Sequence, residues 1–187
     1  MRVVGGRLRG RALAAPKSQS IRPTADRLRE ALFNILVHVY DDPIGGARVL
    51  DLFAGTGALG IEALSRGAAF TLFVDDSAEA RALLRENVAT LGLGGASRIF
   101  RRDATKLGPA HPVEPFSLAF LDPPYGKGLA EQALASARAG GWLKPDALVV
   151  VEEAASAKFV APEGFAEIER RPYDDTEFVV LRFATPQ

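Results

Sequence analysis

Short apolar runs alternate with amphipathic stretches along most of the chain. Runs rich in valine, leucine and phenylalanine predict strands at 48–53, 70–74, 97–101, 116–121 and 147–151. Apolar residues at helical spacing predict helices between them, at 60–66, 78–91 and 129–139. Strands that alternate with helices in this way are typical of βαβ units. The pattern therefore predicts an α/β fold with a parallel sheet and helices on both of its faces.

Both ends of this region carry further elements. Leu28 and Leu32 belong to a set of apolar residues at helical spacing, which predicts an amphipathic helix over 24–40. Near the other end, two β-rich runs at 168–173 and 178–183 predict an antiparallel pair of strands. Such a pair would add an antiparallel edge to the parallel sheet.

Composition narrows the class of protein. The chain has 187 residues, 48% of them hydrophobic, which fits a single globular domain with a real core. It has no cysteine and two histidines, so we expect neither disulfides nor a metal site built on thiolates or imidazoles. No apolar run is long enough to span a membrane, and no signal peptide is visible at the N-terminus. We therefore expect a cytoplasmic protein with no membrane partner.

The net charge of +0 hides an asymmetry along the chain. Residues 1–30 carry a net charge of +6, and the rest of the chain carries −6. We predict a basic N-terminal arm over 1–23, folded as a short β-hairpin, followed by one domain over 24–187. A basic arm is typical of proteins that bind a polyanion, although it could equally be a solvated segment or a charge clamp on the acidic body. The candidate RNA-binding residues are Arg7, Arg9, Arg11, Lys17, Arg22 and Arg27.

A glycine-rich turn follows the first predicted strand of the sheet. Gly55 and Gly57 would let the backbone approach a ligand without a Cβ in the way. The turn stands at the carboxyl end of a strand, where open α/β sheets bind ligands. A tight turn with no ligand is the alternative. The candidate cofactor contacts here are Asp51, Phe53, Ala54, Gly55 and Gly57.

Two further strand ends carry acidic residues. Asp75 follows the next strand, where a carboxylate can accept hydrogen bonds from a ribose diol of either NAD or S-adenosylmethionine. Asp103 and Ala104 follow the strand after that. An aspartate there can accept from an adenine amino group, while a neighbouring backbone N–H meets a ring nitrogen. Either aspartate alone could be ordinary turn chemistry.

The loop Asp122-Pro123-Pro124-Tyr125 follows a fourth strand. Its two prolines have no backbone N–H, so the loop offers a ligand acceptors instead: the Asp122 carboxylate and the Pro123 carbonyl. Tyr125 adds a flat aromatic face. An exocyclic amine on a nucleobase needs this set, because its N–H groups donate and its ring stacks. Asp122, Pro123 and Tyr125 are the candidate catalytic residues.

The motifs together resemble a known group of enzymes. Asp51–Gly57 with 122–125 resembles the Rossmann-like S-adenosylmethionine-dependent methyltransferases that act on exocyclic or amide nitrogens. Arg2–Leu13 and Ile21–Leu36 are similar to the RsmD family of bacterial enzymes, which methylate N2 of one guanine in 16S ribosomal RNA. Phe53–Ala68 matches that family almost residue for residue. The family usually has Glu at the position of Asp75, and often Gly where Asp174 stands.

The resemblance implies a seven-stranded, mostly parallel sheet with an antiparallel terminal hairpin. It implies S-adenosylmethionine as cofactor, S-adenosylhomocysteine as product, and no metal. The implied partner is 16S ribosomal RNA in an assembling or assembled small subunit. Separately from the resemblance, we expect the protein to be a monomer. The alternatives are methylation of another nucleic acid base or of a protein glutamine amide, a nucleotide-dependent oxidoreductase, and an RNA-binding module without catalysis.

Overall fold

Short apolar strands fill the middle of the sheet in the computed structural model, which describes residues 1–17 and 23–184. Within this part of the chain the strands are β1 (Arg48–Leu52), β2 (Phe70–Val74), β3 (Ser97–Phe100), β4 (Phe116–Leu121), β5 (Leu143–Ala154), β6 (Phe165–Tyr173) and β7 (Thr176–Phe183). Their order in the sheet is β3-β2-β1-β4-β5-β7-β6. Neighbours from β3 to β5 are parallel, and β7 runs antiparallel to both β5 and β6. The predicted seven-stranded sheet with a terminal antiparallel pair is confirmed.

Four α-helices cover the sheet in the described ranges. They are α1 (Pro23–Val39), α2 (Ala58–Ser65), α3 (Ala78–Thr90) and α4 (Leu129–Gly140). Phe33 of α1 packs against Phe120 of β4, with ring centroids 5.5 Å apart. Leu134 of α4 lies in a separate buried cluster with Leu121 and Val149, which project from the other face. The central strands are therefore buried on both faces, which explains their continuous apolar runs.

Helix ends follow local chemistry. The Ser77 side chain accepts a hydrogen bond from the Ala80 N–H at 3.2 Å and caps the start of α3. Gly141 adopts a left-handed conformation, φ 75°, at the end of α4, as a glycine can without a Cβ clash. Two short 3₁₀ turns, Gly94–Ala96 and Ala155–Ala157, complete the regular elements of the described chain. None of the helices in these ranges is long and apolar enough to cross a membrane.

The N-terminal segment, residues 1–17, is part of the same core. Its predicted hairpin is reduced to a single antiparallel bridge between Arg2 and Ala12. Val3 and Leu8 are buried against α2 and α3. The segment therefore packs on the domain as a folded element, while Arg22 lies outside the described residues.

One buried carboxylate anchors this segment. Glu62 of α2 is fully buried and accepts the backbone N–H groups of Val4 and Gly5, both at 2.9 Å. The same carboxylate pairs with Arg29 at 3.3 Å and with Arg66 at 2.9 Å. The backbone N–H groups of the basic segment thus bind the buried Glu62 carboxylate inside the core. Its attachment differs from the charge clamp on the acidic surface that the sequence left open.

Candidate active site

The carboxyl ends of β1, β2 and β4 meet at the point where the chain switches direction across the sheet. β2 lies on one side of β1, and β4 lies on the other side of β1. Such switch points are where open α/β sheets bind ligands. A cavity of about 370 Å³, here called the first cavity, opens there. Its lining includes Asp51, Phe53, Ala54, Gly55, Asp122 and Tyr125.

Two more cavities adjoin the first one. The second cavity, of about 210 Å³, is lined by Asp75, Asp103 and Ala104 among others. A third, bridging cavity is lined by Asp75, Asp122, Pro123 and Tyr125 among others. Phe53 lines all three cavities. The structure therefore brings the predicted residues of four separate strand ends to one continuous cleft.

Phe53 holds an unusual backbone conformation at the centre of this cleft. Its φ is +58°, a left-handed value that is rare for a bulky residue. Gly55 follows with φ +59°, and a Cβ at this glycine would meet no atom within 4 Å. The turn therefore leaves open space directly above the Gly55 backbone, as a ligand-binding turn requires.

The other glycines of the turn serve packing. A Cβ at Gly57 would lie 2.3 Å from Leu84 Cδ1, and one at Gly60 would lie 2.4 Å from Phe73 Cε1. Gly57 is buried, and it is not among the residues that line the first cavity. Its role here is to let the turn pack closely against α3 and β2.

Asp75 braces the glycine turn from the neighbouring strand. Its Oδ2 accepts the Gly55 N–H at 2.9 Å, and its Oδ1 accepts the Ser77 N–H at 2.9 Å. The half-buried carboxylate also lines both the second and the bridging cavity. It can therefore fix the turn and still present oxygen lone pairs to a ligand.

Asp103 stands at the far end of the cleft. Its Oδ1 accepts the Thr105 hydroxyl at 2.7 Å and the Thr105 N–H at 2.9 Å. These hydrogen bonds from Thr105 hold the pKa of Asp103 below its usual range. Asp103 is therefore an ionised acceptor at neutral pH, and the buried Ala104 lies beside it.

Asp51 lies beneath the turn and is only 1% exposed. Its Oδ2 accepts the Gly60 N–H at 3.0 Å, at the start of α2. Burial raises the pKa of Asp51 to about 8. The hydrogen bond from Gly60 lowers this pKa, whereas the nearby Asp75 raises it. Asp51 is thus a buried, largely protonated group at neutral pH on the floor of the first cavity.

The loop after β4 forms the opposite wall of the cleft. Pro123 is buried, whereas Asp122 and Tyr125 are exposed to the cleft. The Gly126 N–H donates to Glu153 Oε1 at 3.0 Å, which ties the end of this loop to β5. The loop is therefore stiffened by its prolines and fastened at its exit.

The carboxyl group of Asp122 has an acidic neighbour that sequence reasoning missed. Although Asp122 is exposed to the cleft, the dense protein around its carboxyl group limits solvation and raises its pKa well above the usual range. The charge of Glu152 and a hydrogen bond with its side chain add to this rise, followed by Asp51 and Glu153. Glu152 lines the first cavity beside Asp122. Its position at the end of a valine-rich run was the available signal.

Other missed residues come from distant parts of the chain. Tyr173 and Asp174, at the turn between β6 and β7, line the first cavity, and so do Arg29 of α1 and Met1. Asp174 has φ +54°, a left-handed conformation that the family's glycine would adopt without strain. The only sequence signal for this turn was that Asp174 stands where the family often has glycine.

The predicted RNA-binding residues within the described ranges lie on the surface. Those that the structure describes, namely Arg7, Arg9, Arg11, Lys17 and Arg27, are all exposed. The Arg11 guanidinium donates to the Thr90 carbonyl at 3.3 Å. Met1 of the same segment reaches the first cavity, so the basic surface and the cleft are joined by one folded element. Within 1–17 and 23–184, no cluster of acidic or histidine side chains is placed to hold a metal ion.

Comparisons with known proteins agree on one relationship. Residues 1–182 match the protein family described as Conserved hypothetical protein 95. The chain is 44% identical over 153 residues to ribosomal RNA small subunit methyltransferase D of Escherichia coli K12, covering 81% of this chain and 74% of that protein. It is 35% identical to the Haemophilus influenzae protein of the same name, covering 91% and 88% of the two chains. A solved structure of Escherichia coli yhhF superposes with a TM-score of 0.83 at 31% identity, covering 100% of this chain and 99% of that one.

Proposed function

The chain belongs to the ribosomal RNA small subunit methyltransferase D family, and on that premise we propose that it methylates the exocyclic N2 of one guanine in 16S ribosomal RNA. The methyl donor is S-adenosylmethionine. One observation carries the proposal: the amine-accepting loop 122–125 and the glycine turn 53–57 line one cleft.

The cleft fits S-adenosylmethionine from end to end. The open space above Gly55 admits a ligand against the backbone. Asp75 offers acceptors for ribose hydroxyls, and Asp103 with Ala104 lines the cavity suited to adenine. The acidic side chains of Asp174 and Asp175 at the first cavity favour a cationic sulfonium over its neutral product. When bound there, S-adenosylmethionine would supply an activated methyl group.

The loop after β4 would hold the acceptor base. Guanine N2 is a poor nucleophile because its lone pair is delocalised into the ring. Hydrogen bonds from its two N–H groups to a carboxyl oxygen of Asp122 and to the Pro123 carbonyl would favour a more pyramidal nitrogen. Stacking on the exposed Tyr125 would contribute ~1–3 kcal/mol to holding the base. Alignment by this stiff loop would supply most of the rate acceleration.

The exposed arginines of the N-terminal segment would bind the RNA backbone. The target base must leave its stack, or come from an unpaired loop, to enter the first cavity. Phosphate contacts by the exposed Arg7, Arg9 and Arg11 would position the RNA for this step. The protein would act in the cytoplasm as a monomer, on an assembling or assembled small subunit.

A methyl-transfer assay tests the proposal. Wild-type protein with labelled S-adenosylmethionine should methylate small-subunit RNA, tested both naked and in assembled subunits. Asp122→Ala should lose transfer by about 100-fold or more, the scale seen when one transition-state hydrogen bond is removed. Its affinity for S-adenosylmethionine by calorimetry should stay near the wild-type value, since the adenosine contacts lie at Asp75 and Asp103. Loss of cofactor binding along with transfer would contradict the assigned role of Asp122.

A further inference from the structure

A basic side chain faces the first cavity from α1. Ala25, Leu28 and Arg29 all line this cavity. They are three and four residues apart, so they lie on one face of the helix. Among the described residues that line the first cavity, Arg29 has the only basic side chain. A cationic group therefore stands on the α1 wall, whereas the turn between β6 and β7 places acidic side chains on another wall.

Three acceptors hold the Arg29 guanidinium in place. Its Nε donates to Glu62 Oε1 at 3.3 Å, and its Nη2 donates to Asp26 Oδ1 at 2.9 Å. Nη2 also donates to the Arg2 carbonyl. The Arg29 side chain is only 5% exposed. The guanidinium is therefore fixed by α1, α2 and the N-terminal segment before any ligand binds.

The other amino group of this guanidinium, Nη1, is left for a ligand. Nη1 carries two of the N–H donors of an arginine, and no acceptor in residues 1–17 or 23–184 takes a hydrogen bond from it. In these ranges Arg48 Nε is the only side-chain atom that is both fully buried and without a hydrogen-bond partner. Nη1 is therefore accessible, and the first cavity is the space that Arg29 lines.

The proposed placement of S-adenosylmethionine brings an anionic group into this cavity. With adenosine at the second cavity and the methyl group at the loop after β4, the amino-acid arm of the cofactor extends into the first cavity. This arm ends in a carboxylate. Asp174 and Asp175 repel a carboxylate, whereas a guanidinium donates strong, charge-assisted hydrogen bonds to it. The α1 wall is thus the part of the first cavity that suits the anionic end of the cofactor.

We propose that Arg29 binds the carboxylate of S-adenosylmethionine through Nη1 and so fixes the amino-acid arm of the cofactor. This inference rests on the proposed function. Nε and Nη2 keep the guanidinium rigid, while Nη1 donates to the cofactor. The division of labour explains why a residue that pairs with the buried Glu62 also lines the cleft.

Arg66 provides a matched control on the same buried carboxylate. Its Nε donates to Glu62 Oε2 at 2.9 Å, and its side chain is 14% exposed. Arg66 is not among the residues that line the first cavity. Arg29→Met and Arg66→Met each remove one guanidinium from Glu62, and only the first removes a donor from the cavity.

Calorimetry without RNA tests the assignment with two ligands. S-Adenosylmethionine is compared with its decarboxylated analogue, which lacks only the carboxylate. The wild type should prefer S-adenosylmethionine, and Arg29→Met should lower this preference by about 10- to 100-fold, the scale of one charge-assisted hydrogen bond. The affinity of Arg29→Met for the analogue should not fall. Arg66→Met should keep the wild-type preference, which controls for the loss of a positive charge from this part of the fold.

Arg29→Lys keeps the test decisive if Arg29→Met does not fold. Lysine retains a positive charge beside Glu62 and Asp26, but its single ammonium group lacks the planar fork of a guanidinium. It cannot pair with both carboxylates and also reach the cofactor. Arg29→Lys should therefore lose most of the preference as well.

Three results would overturn the assignment. The first is an Arg29 variant that keeps the wild-type preference, and the second is an Arg66→Met protein that loses as much preference as the Arg29 variants. The third is an Arg29 variant that binds both ligands as the wild type does but loses affinity for RNA, since Nη1 would then face the RNA. A wild type that shows the preference but transfers no methyl group to RNA would refute only the proposed function. A wild type that binds no S-adenosylmethionine would refute both.

Discussion

Replacing the buried Glu62 by glutamine tests how the N-terminal segment is held on the domain. The wild-type carboxylate accepts four donors: the Val4 and Gly5 N–H groups and the guanidinium groups of Arg29 and Arg66. Glutamine keeps one carbonyl oxygen and turns an amide donor toward the remaining partners. The substitution therefore removes about half of the acceptors while preserving the volume of the side chain.

The magnitude follows from burial and charge. Glu62 is 0% exposed, and the Arg29 side chain beside it is 5% exposed. Hydrogen bonds to charged groups contribute about 1.5–3 kcal/mol each, and breaking one partner of a buried ion pair costs about 3–5 kcal/mol. We expect Glu62→Gln to lower the free energy of unfolding by about 3–5 kcal/mol.

Urea denaturation measures this loss, with Glu86→Gln as the control. Glu86 is an exposed residue of α3, so its neutralisation should change the free energy of unfolding by less than about 0.5 kcal/mol. Hydrogen exchange of the Val4 and Gly5 amides should also accelerate in Glu62→Gln relative to amides of the central strands. A loss below about 1 kcal/mol, with unchanged exchange at these amides, would show that the carboxylate does not anchor the segment.

Three further substitutions test the cleft and its support. Asp75→Ala removes the acceptor of the Gly55 N–H and the proposed ribose contact, so calorimetry should show S-adenosylmethionine binding about 10- to 100-fold more weakly. Gly60→Ala places a Cβ 2.4 Å from Phe73 Cε1, and urea denaturation should show a loss of about 1–3 kcal/mol. Burial raises the pKa of Asp51 to about 8, above the ~3.9 of an unfolded aspartate. The contribution of Asp51 to stability is therefore lost as the pH rises toward 8. The urea midpoint of the wild type should decline between about pH 4 and 8, and Asp51→Asn should make this decline shallower. An unchanged affinity, midpoint or pH slope would contradict the respective argument.

The sequence predicts the central fold because its strands are short and buried on both faces. The runs at 70–74 and 116–121 match β2 and β4 residue for residue. β5 is longer than predicted, because Pro145 and Asp146 read as a turn and Glu152 reads as a strand exit. In the structure the pairing of β5 with β7 continues to Ala154, which keeps Glu152 inside the strand. At the other end β5 already pairs with β4 at Leu143, so that Pro145 and Asp146 also lie within it.

The candidate site was predictable wherever a strand end carried a local motif. The motif residues 53–57, 75 and 122–125 all line or support the cleft. Glu152 was missed because its place at the first cavity comes from the register of β5 against β4, which is a tertiary relationship. Tyr173 and Asp174 were missed as cavity residues for the same reason, since the β6–β7 turn reaches the first cavity only after the antiparallel pair has folded.

Identification of the methylated nucleoside tests the central claim most directly. Small-subunit RNA, naked or assembled, is treated with the protein and S-adenosylmethionine, digested to nucleosides and analysed by mass spectrometry, with Asp122→Ala as the inactive control. We predict one new N2-methylguanosine per 16S ribosomal RNA molecule, formed by the wild type alone. Methylation of a different base or of a ribosomal-protein glutamine, or no transfer at all, would contradict the account.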